Sequence, residues 1–458
     1  MSAAPSLTAR AIMLLLIVGT AALVARQVVV ARHVQGRYWT PWRIVGWAIV
    51  TLLALSARLP LFMSLLMPPQ TVLVDFFQEW ASVQNWRHGL DIYEDLGLAA
   101  ARYLKLDVDM REQYAVEVNA HPPAAVLVAM PVALLGNYSL AVLAWNLLSL
   151  VLGAAALAII DRELRLAQCW PALLALVPLA LFFDPLLLQV HFAQLNLLLL
   201  FLVVGAWAAA RRRQDALAGA FLGTAAAVKL YPSLLILYFA LQRRWRLAAA
   251  ALLAALAWLA ATLLVFGVEA HLDYVFKVLP RVQEWRSGWG NLSLLGWWAR
   301  LFDPGTKGGP VIPLLSAPTL ARAGAFASVA ILIVAASWIA WRARTLRQRE
   351  LSLALFIVTM LLASPTSWEH YFILLILPAA IFWTVGDGRL VALGLVVLLL
   401  PIWLPPAAMF YLWGGMGPKA LPIHSLLLFP LKTYAILAFW SLLAWAAAGK
   451  VNEPEPTT

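Results

Sequence analysis

The sequence contains few of the residues on which soluble folds and metal or redox sites depend. Only 12% of its 458 residues are charged, and it has one cysteine, Cys169. Because a typical soluble domain has roughly a quarter charged residues, this composition excludes an ordinary soluble fold. A single cysteine excludes an internal disulfide and any metal site built from several cysteines. The chain also lacks the Gly-x-Gly-x-x-Gly loop that cradles phosphates, and no fixed-period repeat is evident.

Long apolar runs take the place of the missing charge. Hydrophobic residues make up 63% of the chain. We therefore predict an all-α polytopic membrane protein in which residues 1–458 form a single integral membrane domain. Since a span needs about 20 apolar residues, about 12–14 membrane segments are expected, some of them short or re-entrant. The tail 450–458 is expected to be disordered. The candidate segments are 11–31, 44–66, 122–136, 139–160, 170–188, 194–210, 216–241, 247–267, 321–341, 351–363, 371–385, 390–410 and 425–447.

Basic residues between the apolar segments predict the orientation. The net charge is +11, but Lys and Arg cluster in short loops, which is typical of cytoplasmic loops rather than of nucleic-acid binding. No nucleic-acid partner is expected. The clusters lie within 26–43, 211–213, 243–246 and 342–349. This orientation places four stretches outside, namely the first external loop 67–121, the second external loop 268–320, residues 411–424 and the short loop 364–370.

The segment 216–241 breaks this alternation, because arginines flank it on both sides. Its apolar run is interrupted at Lys229-Leu-Tyr-Pro232, and proline removes a helix hydrogen bond. Each half has about 12 residues, or roughly 18 Å of helix, which is too short to span a membrane. We interpret the segment as a re-entrant broken-helix hairpin with Lys229 at the turn. Two alternatives remain, a single long span and a lysine that extends to the interface.

The first external loop carries two carboxylates near its start. Asp75 and Glu79 are four residues apart and would share one face of a helix. Such a pair can act as a general base, hold a metal ion or simply be hydrated. Apolar and aromatic residues surround Asp75 in the sequence, which would raise its pKa and favour a role as base.

Three further polar motifs interrupt the apolar chain. Gln194 and Asn196 begin an apolar segment, where they can donate hydrogen bonds to hydroxyls or satisfy helix ends. Asn291 and Ser293 lie among tryptophans in the second external loop, a combination suited either to sugar recognition or to a polar turn. The third motif is the octet 364–371, Ser-Pro-Thr-Ser-Trp-Glu-His-Tyr. A polar octet between apolar runs is costly unless it faces water, a partner or a substrate.

In their order along residues 70–375, these motifs resemble those of glycosyltransferase family 87, the membrane mannosyltransferase-like members of the GT-C superfamily. The matching positions are Asp75-Phe76 followed by Gly89 and Tyr93, Lys229-Leu-Tyr-Pro232 after Gly219 and Gly223, and the intact octet 364–371. Three motifs depart from the family pattern: His121-Pro122-Pro123 has histidine for Tyr or Phe, Ala193-Gln194-Leu195-Asn196 has alanine for glycine, and Asn291-Leu292-Ser293 has leucine for glutamine.

The resemblance implies transfer of a hexose, expected to be mannose, from a polyprenyl-phosphate sugar to a hydroxyl of a glycolipid or glycan, with inversion. It implies that Asp75 is the catalytic base, that Lys229 neutralises the phosphate and that His370 binds phosphate or sugar. Glu79 would orient the acceptor or Asp75 itself. The other substrate-binding residues expected on this basis are Gln194, Asn196, Tyr231, Asn291, Ser293, Trp368, Glu369 and Tyr371.

No cofactor is expected, although a divalent ion held by Asp75 and Glu79 stays open. The predicted location is the plasma (inner) membrane, with the active site facing the periplasm or exterior and membrane lipids around the chain. Two other functions remain open. A transporter or flippase would also have broken helices and buried charges, but no two related halves are found. A ligase or polymerase of surface polysaccharide would bind a lipid pyrophosphate through external arginines such as Arg281, Arg286 and Arg300.

Overall fold

The structure is a computed structural model that describes residues 40–107, 117–166, 180–305, 311–386 and 421–449, with six single positions between 391 and 404. Within these residues every regular element is helical, which confirms the all-α prediction. The predicted segment 11–31, most of 390–410 and the tail 450–458 lie outside the described residues.

The helices are numbered here in chain order through the described residues. They are α1 (Pro41–Leu66), α2 (Phe77–Arg87), α3 (Leu96–Ala99), α4 (Pro123–Ala133), α5 (Tyr138–Leu164), α6 (Asp184–Phe192), α7 (Asn196–Arg211), α8 (Asp215–Val228), α9 (Leu234–Leu241), α10 (Trp245–Asp273), α11 (Leu279–Gln283), α12 (Leu294–Phe302), α13 (Pro318–Arg342), α14 (Leu346–Ala363), α15 (Ile376–Val385), α16 (Pro422–Leu427) and α17 (Leu431–Ala448). Short π-helical stretches cover Ala100–Leu104 and Tyr274–Val278, and 3₁₀ turns cover Tyr231–Ser233, Glu284–Ser287 and Glu369–Leu375.

Five helical stretches among the described residues are long and apolar enough to cross a membrane. They are Pro41–Leu66, Tyr138–Leu164, Trp245–Ser287, Pro318–Arg342 and Pro422–Ala448. The helices α6 and α7 would form a sixth span, but they are bent by 118° at their junction. Shorter apolar helices, including the 11-residue α4, lie within other predicted segments. The chain is therefore a polytopic helical membrane protein, as the composition predicts.

The distribution of apolar side chains fits a lipid surround. Leu264 of α10 is 88% exposed and Phe326 of α13 is 70% exposed, which would be unfavourable in water but suits hydrocarbon. The helix α14 has the opposite character, because its residues from Glu350 to Leu362 are all buried. It packs against α13, α15 and α17 and so forms the centre of the helical assembly.

Charged residues tie several helix ends together at one end of the molecule. Arg211, at the end of α7, pairs with Glu163 of α5 and with Glu350 of α14. Arg244 donates to the carbonyl of Ala210 and to the Asp215 carboxylate. These basic segments are the ones that the charge pattern predicts to be cytoplasmic.

Arg244 also shows how the predicted hairpin runs. It follows α9 but bonds beside the start of α8, so the chain from 215 to 244 returns to where it began. The helical run breaks at Lys229, which has extended backbone angles of −141° and 138°. Membrane re-entry of this segment stays a prediction.

Two glycines explain why α8 lies so close to α10. A Cβ atom at Gly219 would come within 2.5 Å of the Ala250 Cβ and 2.7 Å of the Leu247 carbonyl oxygen. Gly223, one turn later, faces the Ala251 backbone in the same way. Small residues four apart let helix backbones approach in this manner. The glycine-rich run before Lys229 therefore lets α8 pack closely against α10.

Candidate active site

Three predicted residues from distant parts of the chain form one hydrogen-bonded chain. The Gln194 side-chain nitrogen donates to the Asp75 carboxylate at 2.5 Å. The oxygen of the same amide accepts from the Lys229 ammonium at 3.3 Å. The structure thus brings together the first external loop, the α6–α7 junction and the break in the hairpin.

The α6–α7 junction holds Gln194 in place through its own backbone. Ala193 adopts a left-handed conformation, with φ of 49°, where α6 ends. Glycine adopts this conformation most readily, which explains why the related motif has glycine here. The Gln189 side chain donates to the Gln194 carbonyl and accepts from the Asn196 side chain at 3.1 Å. Asn196 therefore stabilises the bend, and nothing in the structure places its side chain against Asp75.

Asp75 is held by its neighbours rather than by a helix. The Val74 amide donates to the Tyr138 hydroxyl at 2.8 Å, and the Phe76 amide donates to the Phe192 carbonyl at 3.2 Å. The ring of Phe76 stacks on Trp145 with centroids 5.2 Å apart. Asp75 lies two residues before α2, so its carboxylate faces the α6–α7 junction.

The environment of Asp75 suits a general base. Burial raises its pKa from 3.8 to about 6, against the lowering effects of the Gln194 hydrogen bond and the charges of His121 and Lys229. The side chain is half-buried, so part of it stays accessible. A carboxylate with a raised pKa is ionised at neutral pH yet accepts a proton more readily than an ordinary aspartate.

Glu79 contacts His121 rather than Asp75, beside which it was expected to lie. Its buried carboxylate contacts Nδ1 of His121, instead of sharing a helix face with Asp75. The reason is that Asp75 precedes α2 while Glu79 lies in its first turn. The Tyr93 hydroxyl in turn donates to the His121 carbonyl at 2.8 Å. The sequence reasoning did not place His121 in the site; the histidine in the His-Pro-Pro motif was the available signal.

Aromatic rings surround Lys229 at one end of this hydrogen-bonded chain. Its ammonium lies 4.1 Å from the centroid of the Tyr371 ring, which is an attractive cation–π distance. Tyr231 stacks on Tyr371 with centroids 5.6 Å apart, and the ring centroids of His370 and Tyr371 are 5.0 Å apart. The Tyr231 hydroxyl and Nε2 of His370 are buried without a hydrogen-bond partner among the described residues. Such atoms are available to a bound ligand.

The second external loop contacts the octet through Asn291. Its amide nitrogen donates to the carbonyls of Arg286 and Pro365, at 2.8 and 3.0 Å. Its oxygen accepts from the backbone nitrogens of Ser293 and Ser367. The Ser293 hydroxyl accepts from the Gly296 amide and caps α12. Both side chains are fully engaged in holding the loop.

Trp368 and Glu369 also face away from Asp75. The ring of Trp368 covers Gly288 and Gly290. Glu369 pairs with Lys432 of α17, and both side chains are buried. Asp184 lies near enough for its charge to act on Lys432. The octet therefore has two sides, with His370 and Tyr371 near Lys229 and Glu369 in a separate ion pair.

The external arginines have intramolecular partners. Arg286 pairs with Asp303 at 2.8 Å, and the fully buried Arg300 donates to the Gly288 carbonyl at 3.0 Å. Arg281 is exposed. Across the residues that the structure describes, no group of three or more His, Cys, Asp or Glu side chains is arranged to hold a metal ion.

Comparison with known proteins gives this site its context. Residues 119–365 match glycosyltransferase family 87. The chain is 29% identical over 305 residues to the polyprenol-phosphate-mannose-dependent alpha-(1-2)-phosphatidylinositol mannoside mannosyltransferase of Mycobacterium tuberculosis, covering 62% of this chain and 67% of that protein. It is 28% identical over 286 residues to the corresponding pentamannoside mannosyltransferase of another strain, covering 59% of each chain. The chain is thus a membrane glycosyltransferase, and it belongs to glycosyltransferase family 87.

Proposed function

We propose that this enzyme transfers a mannosyl residue from polyprenyl-phosphate mannose to a hydroxyl group of a glycolipid or glycan acceptor. The observation that carries the proposal is the link from Asp75 through Gln194 to Lys229, because it joins a base to a cation. The donor class is that of the two mycobacterial relatives, as their names give it.

The proposed reaction is a single displacement at the anomeric carbon. Asp75 takes the proton of the acceptor hydroxyl. At the same time the acceptor oxygen forms a bond to the anomeric carbon. The bond from the anomeric carbon to the phosphate oxygen breaks, and the electron pair stays on the phosphate. Attack opposite the leaving group inverts the configuration. Lys229 and His370 are the residues proposed to face the phosphate. The Lys229 ammonium would stabilise the developing dianion, and the His370 ring would contribute a hydrogen bond.

Tyr231 and Tyr371 are proposed to form the wall against which the donor lies. Their stacked rings lie beside Lys229, and aromatic faces suit both a sugar ring and the first isoprene unit. Gln194 would keep the base and the cation at a fixed separation. Glu79 would act on the site through His121. Asn196, Asn291, Ser293, Trp368 and Glu369, named as substrate-binding residues from the motifs, are proposed here to support the site structurally.

Transfer by purified protein tests the reaction. The full chain, reconstituted in lipid, is incubated with polyprenyl-phosphate mannose, polyprenyl-phosphate glucose or GDP-mannose and a phosphatidylinositol mannoside acceptor. We expect product with the first donor alone, and an anomeric configuration opposite to that of the donor by NMR. Transfer from GDP-mannose would contradict the proposed donor. Retention of the anomeric configuration would contradict the inverting displacement.

The active site is proposed to face the exterior of the plasma membrane. Asp75 lies in a region distinct from the arginine-rich helix ends around Arg211 and Arg244. Residue 367 is buried, whereas Pro365 and Arg212 are exposed, so probes belong at 365 and 212. In a background without Cys169, we expect Pro365→Cys to react with an impermeant maleimide from outside and Arg212→Cys from inside. Labelling of both from one side would overturn the orientation.

A further inference from the structure

Polar contacts hold both the backbone and the ring of His121 in position. The backbone nitrogen donates to Oδ1 of Asn119 at 2.9 Å, and the backbone carbonyl accepts from Tyr93 at 2.8 Å. Nδ1 of the ring contacts the carboxylate of Glu79, which is 2% exposed. Glu79 thereby fixes the orientation of His121 and leaves Nε2 on the opposite side of the ring.

Two imidazole nitrogens of this region make no hydrogen bond to the described part of the chain. Among the described residues, Nε2 of His121 makes no hydrogen bond, and Nε2 of His370 is buried without one. A ligand with acceptor oxygens could bind both nitrogens and would satisfy the buried one on His370.

Contacts link three basic side chains to the surroundings of Asp75. Lys229 bonds to Gln194, which donates to Asp75. His121 contacts Glu79 in the first turn of α2, the helix that begins two residues after Asp75. The ring of His370 lies 5.0 Å from that of Tyr371, which faces the Lys229 ammonium. The three side chains come from the hairpin break, the segment before α4 and the octet.

Burial and the nearby charges of Lys229 and His121 lower the pKa of His370 well below its usual value. The His370 ring therefore offers a hydrogen bond rather than a charge, and Lys229 is the cation whose charge a bound anion would compensate. Because Glu79 is already bonded to His121, Asp75 supplies the remaining negative charge that the structure shows near these side chains.

We propose that His121, oriented by Glu79, binds the phosphate of the lipid-linked donor together with Lys229 and His370. The inference rests on the proposed function and assigns a residue that the family motif, with Tyr or Phe at this position, would not supply. A phosphate has acceptor oxygens for both free Nε2 atoms and for the Lys229 ammonium. Its charge compensates that of Lys229, and it grows by one unit when the sugar leaves.

The test measures binding of the donor's lipid phosphate without its sugar. Full-length protein in nanodiscs is titrated with polyprenyl phosphate, and uncharged polyprenol of the same length is the comparison probe. We expect His121→Gln to raise the Kd for polyprenyl phosphate about tenfold, equivalent to about 1.4 kcal/mol, without changing the Kd for polyprenol. Glu79→Gln should act in the same direction by a smaller factor. In steady-state transfer, the KM for donor should rise while the KM for acceptor stays constant.

His88→Gln is the matched control. His88 is an exposed histidine of the same external loop, and its ring bonds to the Gln84 carbonyl at 2.8 Å, so its replacement should leave both Kd values unchanged. Should His121→Gln not yield folded protein, His121→Phe, the residue type of the family motif, gives the same comparison.

The outcomes separate the two proposals. If the wild-type protein prefers polyprenyl phosphate to polyprenol and the His121 variants keep that preference, only the role of His121 is overturned. Wild-type protein that binds both lipids equally would overturn the donor class and the phosphate site together.

Discussion

The side-chain nitrogen of Gln194 donates a hydrogen bond to the carboxylate of Asp75 at 2.5 Å, across 119 residues of sequence. The other end of the same amide accepts from Lys229. The bond positions the proposed base, and it also requires that the first external loop and the α6–α7 junction lie on the same side of the membrane.

The rate of transfer should depend on the ionisation of Asp75. Its pKa is raised to about 6, chiefly by burial, and a base must be ionised to accept a proton. We expect kcat/KM to be constant near neutral pH and to fall tenfold per pH unit below about pH 6. Asp75→Asn should remove activity at every pH. A variant that remains fully active would exclude Asp75 as the base.

The same burial should make ionised Asp75 lower the stability of the folded protein. Its pKa in the folded protein is above its usual value of 3.8, so the folded state binds the proton more tightly and stability falls as pH rises between those values. Ionised Asp75 then costs up to about 3 kcal/mol above pH 6. Asp75→Asn should raise the thermal unfolding temperature at pH 7.5 and have little effect near pH 3.5. A lower unfolding temperature at pH 7.5 would contradict this.

Replacement of Lys229 should weaken use of the donor. Lys229 is 5% exposed, and its ammonium lies between Gln194 and the ring of Tyr371. Loss of one electrostatic partner of the transition state lowers kcat by about 10²–10³. We expect this loss for Lys229→Met, with a larger change in donor than in acceptor kinetics. The control is Lys277→Met, which removes an exposed lysine paired with Asp273. Equal effects on both substrates would indicate a structural lysine.

Asn291 should affect stability more than substrate binding. Its side chain makes four hydrogen bonds that hold the second external loop against the octet. Asn291→Ala leaves buried donors and acceptors unpaired, at about 1–3 kcal/mol for each uncompensated group. We expect a markedly lower unfolding temperature with the donor KM within twofold of wild type. Ser293→Ala, which removes the cap of α12, should cost about 1 kcal/mol. Normal stability with a raised donor KM would instead assign Asn291 to the substrate.

The buried pair of Glu369 and Lys432 should show strong coupling. Removal of one member of a buried ion pair costs about 3–5 kcal/mol, because the other charge is left uncompensated. Glu369→Gln and Lys432→Met should each lower the unfolding temperature, and the double variant should recover part of the loss. Independent, additive effects in the double-mutant cycle would show that the pair contributes little.

Much of the architecture follows from local sequence properties. The apolar runs predict α1, α5, α10, α13 and α17 because a membrane requires the length and composition that these helices have. Pro232 and the flanking arginines predict the break at Lys229. The motifs also indicate Asp75, Gln194 and Lys229 as one group, since their order resembles that of a known family.

Other features could not be read from the sequence. Asp75 and Glu79 share helical spacing, yet the start of α2 at Phe77 separates their directions. His121 differs from the family motif, and its partner lies 42 residues away. Asn291 and Glu369 look like ligand-binding residues in the sequence, but their partners, in the octet and in α17, become evident only from the packing of the helices.

The sequence by itself determined the class of the molecule, an all-helical membrane glycosyltransferase, because hydrophobicity, charge placement and motif order are properties of the chain. The tertiary structure decided which polar side chains face one another. Most buried polar groups have a partner. The packing of distant helices determines whether that partner is an amide, as Gln194 is for Asp75, or an opposite charge, as Lys432 is for Glu369.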